Sequence, residues 1–226
     1  MNAYRWLHEN DLAAMLDQID SPAPQRLWRL WLAACLRWVM DQRMLEFDLI
    51  HLQMIERLEQ VADQFLPLMQ LLASRASLTE DRPFWMALRT AQSLRLTRRE
   101  LDDTIISLQI GLGPQPDAAE SATMSETASS ARQPSMQHSF CDLLRDIWGN
   151  PFEPVPVLPE WRTADVQQLA EYLYRERHWQ EMPYLADALL DAGCDEPRVL
   201  EHCRQAVHCR GCWLLDGLLG RRTEQG

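Results

Sequence analysis

Residues 27–40 read LWRLWLAACLRWVM, and this stretch decides the fold class. Its large apolar side chains recur every three or four positions, at Leu27, Trp31, Cys35 and Trp38. This spacing is that of one face of an α-helix, which has about 3.6 residues per turn. Arg29 and Arg37 interrupt the stretch, whereas a membrane-spanning helix needs about 20 mostly apolar residues. The stretch therefore predicts an amphipathic helix inside a helical protein.

The same helical spacing extends to both sides of this stretch. It predicts further helices over about 44–68, 79–91 and 97–110, with a short helix near 10–19. We find no segment of useful length in which apolar and polar residues alternate, as they do in a half-buried strand. We therefore predict an all-α fold whose residues 1–110 form an antiparallel helical bundle.

A composition change divides the chain into two parts. Residues 111–137 contain no aromatic side chain and few large apolar ones, so they cannot bury enough surface to offset the entropy of ordering. We predict a flexible linker there, followed by a smaller helical domain over 138–226. In that domain residues 151–161, PFEPVPVLPEW, hold four prolines and are predicted to lie extended over the core. We call residues 151–161 the strap.

Charge excludes several classes of function. The 226 residues carry a net charge of −11, and such a surface repels phosphate backbones, which argues against nucleic-acid binding. All 22 basic residues are arginine. The lack of lysine excludes Schiff-base chemistry and the P-loop mode of phosphate binding.

The start of the chain and its cysteines predict a compartment. The N-terminus lacks the charged and apolar regions of a secretory signal, and no uncharged apolar run predicts a membrane helix. We therefore expect a cytoplasmic protein whose 6 cysteines are reduced thiols or metal ligands rather than disulfides.

Several stretches form a recognisable signature. They are residues 141–152 (CDLLRDIWGNPF), 185–189 (LADAL), 192–195 (AGCD), 202–204 (HCR) and 208–213 (HCRGCW). In these the chain resembles a family of uncharacterised planctomycete and actinobacterial proteins, and Trp6-Leu7 and the helix at 29–35 resemble it more loosely. The resemblance implies a small accessory protein and brings no activity or cofactor. Cys209 lies where many relatives have an apolar residue, so the resemblance implies no shared role for it.

The C-terminal region holds the densest group of metal-ligand side chains: Cys194, His202, Cys203, His208, Cys209 and Cys212. One interpretation is a structural zinc site formed by Cys194, Cys203, His208 and Cys212, which supply thiolate and imidazole ligands. A second is a redox pair at Cys209 and Cys212, although no βαβ pattern surrounds it. The third, which we favour, treats these cysteines as small buried apolar residues and the histidines as groups that cap or bridge helix ends. It implies no cofactor, and zinc is the alternative.

No catalytic motif emerges elsewhere. The chain has no G-x-S-x-G or H-E-x-x-H motif, and no strand precedes Gly111-Leu-Gly113 to make a nucleotide loop. Arg145 and Asp146 are best interpreted as an ion pair in which Arg145 holds the strap against its helix.

The leading functional prediction is therefore a non-enzymatic module that binds another protein. Trp and Arg dominate protein-binding hot spots, and one predicted helix is rich in both. The candidate partner-binding residues are Trp28, Arg29, Trp31, Arg37 and Trp38. The alternative is a zinc-binding protein, or a metal-dependent enzyme, that uses the C-terminal Cys/His group.

Overall fold

The computed structural model describes residues 1–19, 25–42, 49–63, 98–111 and 135–222. Within them all regular structure is helical: ten α-helices, two short 3₁₀ turns and no strand, so the all-α prediction is confirmed. None of these helices is long and apolar enough to cross a membrane. The helices are α1 Ala3–His8, α2 Leu12–Leu16, α3 Gln25–Asp41, α4 Leu49–Ala62, α5 Arg98–Gly111, α6 Met136–Trp148, α7 Ala164–Glu176, α8 Met182–Asp191, α9 Pro197–His202 and α10 Trp213–Leu218.

The helices belong to two compact units, and their boundaries differ from the predicted domains. One unit combines residues 1–23 with 140–226, and the other spans 24–139. Residues 1–19 thus join the C-terminal helices rather than the helices that follow them in sequence. The predicted helix over 79–91 and most of the predicted linker at 111–137 lie outside the described residues.

In the 24–139 unit, α3 packs along α4. The predicted apolar face of α3 is buried: Trp31 has no exposed surface and Trp28 is 6% exposed. Both tryptophans are therefore core residues in this structure, because a face this broad is covered by neighbouring side chains rather than by solvent. Arg37, also a candidate partner-binding residue, pairs with the buried Glu59 at 2.7 Å.

Helices α7 to α10 enclose the core of the other unit. Its buried members include Tyr174, Leu185, Cys203 and Leu214, and the strap packs against them through Val155, Val157, Leu158 and Trp161, as its sequence predicts. Gly217 in α10 allows the strap to approach this helix closely. A Cβ atom at Gly217 would lie 2.6 Å from Cγ2 of Val157, so only glycine lets the strap come this near to α10.

The N-terminal segment, residues 1–19, docks on α6 of the same unit. The buried Trp6 ring donates a hydrogen bond from Nε1 to the Gly149 carbonyl oxygen at 2.8 Å. Arg145 donates to the Trp6 carbonyl oxygen at 2.7 Å and also to the Glu9 carbonyl oxygen. The predicted Arg145–Asp146 pair is therefore wrong. Arg145 faces α1 instead, where unpaired carbonyl groups at the helix end accept its hydrogen bonds.

Candidate metal centre

Four side chains that can bind a metal ion meet inside the C-terminal unit. They are Asp146, His202, His208 and Cys212, and one ligand atom from each lies within 4.8 Å of the others. All four residues are buried. Because they come from α6, α9, the following loop and the start of α10, the group connects elements that are separate along the chain.

Local structure directs each side chain inward. Asp146 follows Leu143 by three positions on α6, so it lies on the buried face of that helix. His202 is the last residue of α9, which Pro197 begins. Cys212 is the N-cap of α10 and follows Gly211, whose φ of 89° is a left-handed conformation that glycine adopts without strain.

The distances within the group are close to the ligand–ligand distances of a coordination shell. His202 Nε2 lies 3.1 Å from Cys212 Sγ and 3.5 Å from Asp146 Oδ1. His208 Nδ1 lies 3.0 Å from the same oxygen. In a tetrahedral zinc site, bonds of about 2.0–2.3 Å give ligand–ligand distances of roughly 3.3–3.7 Å. A widest separation of 4.8 Å means that the side chains would contract slightly around an ion.

Asp146 is a buried carboxylate that accepts hydrogen bonds from several neighbours. The Cys209 backbone N–H donates to its Oδ2 at 2.9 Å, and Cys209 Sγ donates to the same oxygen at 3.2 Å. Burial opposes the charge of Asp146, but the hydrogen bond from His208 and the neighbouring His202 outweigh it, so the pKa of Asp146 is lowered. No arginine contacts Asp146 within the described residues. The histidines offset part of the cost of burying this carboxylate, and a bound cation would offset more of it.

His202 and Cys212 are held in their neutral forms when no ion is bound. Burial lowers the pKa of His202 to about 4, so its imidazole has a lone pair, as a ligand requires. Burial, and next the negative charge of Asp146, raise the pKa of the Cys212 thiol well above its usual range. A metal ion would therefore have to displace the thiol proton, as structural zinc does when it binds cysteine.

One ring nitrogen of His208 is buried without a hydrogen bond. Its Nδ1 contacts Asp146, but its Nε2 is buried and has no hydrogen-bond partner. Unsatisfied buried polar atoms are rare, because each costs free energy. A histidine that donates one N–H to a carboxylate and offers its other nitrogen to a metal is a recurrent arrangement in metalloproteins. Asp146 would thus hold the His208 ring in position, and both residues belong to the group of four.

The same residues do not form a nucleophilic triad. In such a triad the carboxylate and the nucleophile contact opposite nitrogens of the histidine ring. Here Asp146 and Cys212 both approach Nε2 of His202. Cys212 also has no exposed surface and a raised thiol pKa, so no substrate reaches it and little thiolate forms. The arrangement suits metal binding rather than attack on a substrate, and the raised pKa of Cys212 also opposes the redox interpretation.

The structure brings together two of the four ligands predicted from sequence, His208 and Cys212. Cys194 and Cys203 lie outside the group of four and, like Cys212, are small buried side chains of the hydrophobic core. His202 belongs to the wider Cys/His group predicted from sequence, whereas the sequence predicts that Asp146 pairs with Arg145. One signal was available: Asp146 is an acidic residue at a core position of an amphipathic helix.

No family model, curated protein or solved structure matches this chain. The resemblance to planctomycete and actinobacterial proteins therefore stays a prediction, and the candidate centre is argued from its own geometry.

Proposed function

We propose that this chain is a zinc-binding, non-enzymatic protein in which one Zn²⁺ ion stabilises the C-terminal helices. Asp146, His202, His208 and Cys212 would hold the ion. The single observation that carries the proposal is the convergence of four buried ligand-type side chains, with one ligand atom from each within 4.8 Å of the others.

The burial of the group supports a structural rather than a catalytic ion. Structural zinc sites are closed by four protein ligands, whereas catalytic sites keep one position for water or substrate. The side chains of Asp146 and His208 are 1% and 0% exposed, which leaves no path for a substrate of any size. The ion would join α6, α9 and α10, and so would take the place of the larger core that a small helical unit lacks.

The ligand chemistry favours zinc among the common ions. Imidazole and thiolate are borderline or soft ligands that suit Zn²⁺, whereas Mg²⁺ and Ca²⁺ prefer shells of oxygen atoms. A single carboxylate is compatible with tetrahedral zinc. Co²⁺ accepts the same ligands and is therefore a useful spectroscopic substitute.

The decisive experiment compares two buried cysteines in the purified full-length protein. Elemental analysis should find about one zinc per chain in the wild type, and the Cys212→Ala variant should lose it. Cys203→Ala is the matched control, because Cys203 is equally buried but lies outside the group of four. It should keep its zinc. A Co²⁺-loaded wild type should also show a thiolate charge-transfer band that is missing in Cys212→Ala.

Two results would contradict the proposal. The proposal would be wrong if the folded wild-type protein binds neither Zn²⁺ nor Co²⁺. Loss of zinc in Cys203→Ala but not in Cys212→Ala would also contradict it, because the ion would then not be bound by the group of four. Circular dichroism of both variants shows whether a loss of metal follows from loss of the fold.

The wider role that we propose is that of an accessory module that binds another protein in the cytoplasm. Supporting the compartment, none of the six cysteines forms a disulfide. The partner-binding surface predicted from sequence has less support, since Trp28 and Trp31 are buried. Pull-down with the full chain tests the role, and a monomer that captures no protein would count against it.

A further inference from the structure

We infer that metal binding at this centre controls the docking of the N-terminal segment, residues 1–19, on the C-terminal helices. The inference rests on the proposed function, because it gives the ion a regulatory effect as well as a structural one. Two separate routes of contact connect the group of four to this segment, and both lie within the same compact unit.

The first route runs through two adjacent residues at the end of α6. Asp146 faces the centre and contacts His208 at 3.0 Å. Arg145 faces the other way and donates to the Trp6 and Glu9 carbonyl oxygens and to Asn10 Oδ1. These acceptors lie at and just after the end of α1. An ion that fixes Asp146 therefore also fixes the turn of α6 from which Arg145 holds the N-terminal segment.

The second route runs through an aromatic contact. The rings of His202 and Trp213 lie 5.0 Å apart. Trp213 in turn covers Gly149, where a Cβ atom would lie 3.2 Å from Cγ of Trp213. The carbonyl oxygen of Gly149 accepts the hydrogen bond from Trp6 Nε1. A change in the His202 ring position would thus be transmitted by close packing to the residue that anchors α1.

Thermodynamic linkage makes the effect reciprocal. If zinc favours the docked segment, the docked segment favours zinc by the same factor. Coupling between two sites in one protein is typically about 5-fold to 150-fold in affinity, and a value near tenfold is expected here. Amide exchange in the N-terminal segment and the affinity for zinc should therefore change together, and each can be measured separately.

The experiment is hydrogen–deuterium exchange of the full-length protein, loaded with Zn²⁺ or stripped with a chelator. Amides of α1 and α2 should exchange about tenfold more slowly in the zinc form. Zinc affinity, measured by competition with a chromophoric chelator, should fall about tenfold in Arg145→Met. Arg175→Met is the matched control: Arg175 is an exposed arginine of the same unit that pairs with Glu176, and its loss should not change zinc affinity.

A second variant, with a smaller structural change, tests the inference in case Arg145→Met does not fold. Trp6→Phe keeps an aromatic ring in the core but removes the donor to Gly149, and it should also weaken zinc binding. Stoichiometric zinc in the wild type without any change in exchange over residues 1–19 would overturn the inference and leave the proposed metal centre intact. Unchanged zinc affinity in both folded variants would do the same. A wild type that binds no zinc would overturn both proposals.

Discussion

Substituting Gly217 by alanine tests how closely the strap packs on α10, the helix that begins after Cys212. The added Cβ atom would lie 2.6 Å from Cγ2 of Val157 and 3.2 Å from its Cβ. Rotation of the Val157 side chain moves only the γ carbons, so it cannot relieve the second contact. The backbone of the strap would have to move, and Pro156 and Pro159 restrict that movement.

Two opposing effects set the size of the change. Alanine in a helix is favoured over glycine by about 1 kcal/mol. Overpacking of a well-packed core costs about 1–3 kcal/mol, and the rigid strap points to the upper half of that range. The net loss in free energy of unfolding should be about 1–2 kcal/mol. For a chain of this size such a loss corresponds to a melting temperature lower by roughly 2–8 °C.

A double-mutant cycle identifies the cause. Val157→Ala removes both γ carbons, so it should cost less in the Gly217→Ala background than in the wild type, with a coupling of about 0.5–3 kcal/mol. Gly193→Ala is the control. No atom lies within 4 Å of its Cβ position, but its φ of 84° makes alanine strained, and Val157→Ala should leave that cost unchanged.

Urea denaturation followed by far-ultraviolet circular dichroism provides the measurement, with all variants held at the same zinc concentration. If Gly217→Ala equals or exceeds the wild type in stability, the close packing described for the strap and α10 is wrong. Strict additivity of Gly217→Ala and Val157→Ala would equally show that the two sites do not contact each other.

Two further predictions concern helix ends and buried charge. Thr163→Ala should lower the free energy of unfolding by about 1 kcal/mol in the same assay, because Thr163 Oγ1 accepts the Val166 N–H at the start of α7. Thr163→Ser keeps the hydroxyl group and should retain most of the stability. If Thr163→Ala is as stable as the wild type, this cap contributes nothing. Arg37→Met should cost about 3 kcal/mol, since it leaves the carboxylate of Glu59, which is 2% exposed, without its arginine. The double variant Arg37→Met/Glu59→Met should recover much of that loss, and a double variant less stable than Arg37→Met would refute the charge argument.

The helices illustrate what local pattern can predict. The period of large apolar residues over 27–40 indicated α3 correctly, because burial on one side of a helix repeats with the helical turn. The strap likewise packs against the core as its sequence predicts, although it is only partly extended, because Pro159–Trp161 form a 3₁₀ turn. Both features depend on residues that are close together in sequence.

The candidate centre illustrates what local pattern cannot predict. Cys212 and His208 stood out because they lie close together in a region rich in cysteine and histidine. Asp146 lies 62 positions before His208, and nothing near it in sequence indicates that contact. Cys203 is close to Cys212 in sequence and equally buried, yet only Cys212 belongs to the group of four, because the short helix α9 and the turn at Gly211 set the directions of the side chains.

By itself the sequence determined the fold class, the absence of lysine chemistry and the region where metal ligands are dense, because composition and helical period are local properties. Only the tertiary structure decided which four side chains meet and where residues 1–19 belong. The hydrogen bond from Arg145 to Trp6 spans 139 positions. Such contacts depend on the packing of whole helices, which no short stretch of sequence specifies.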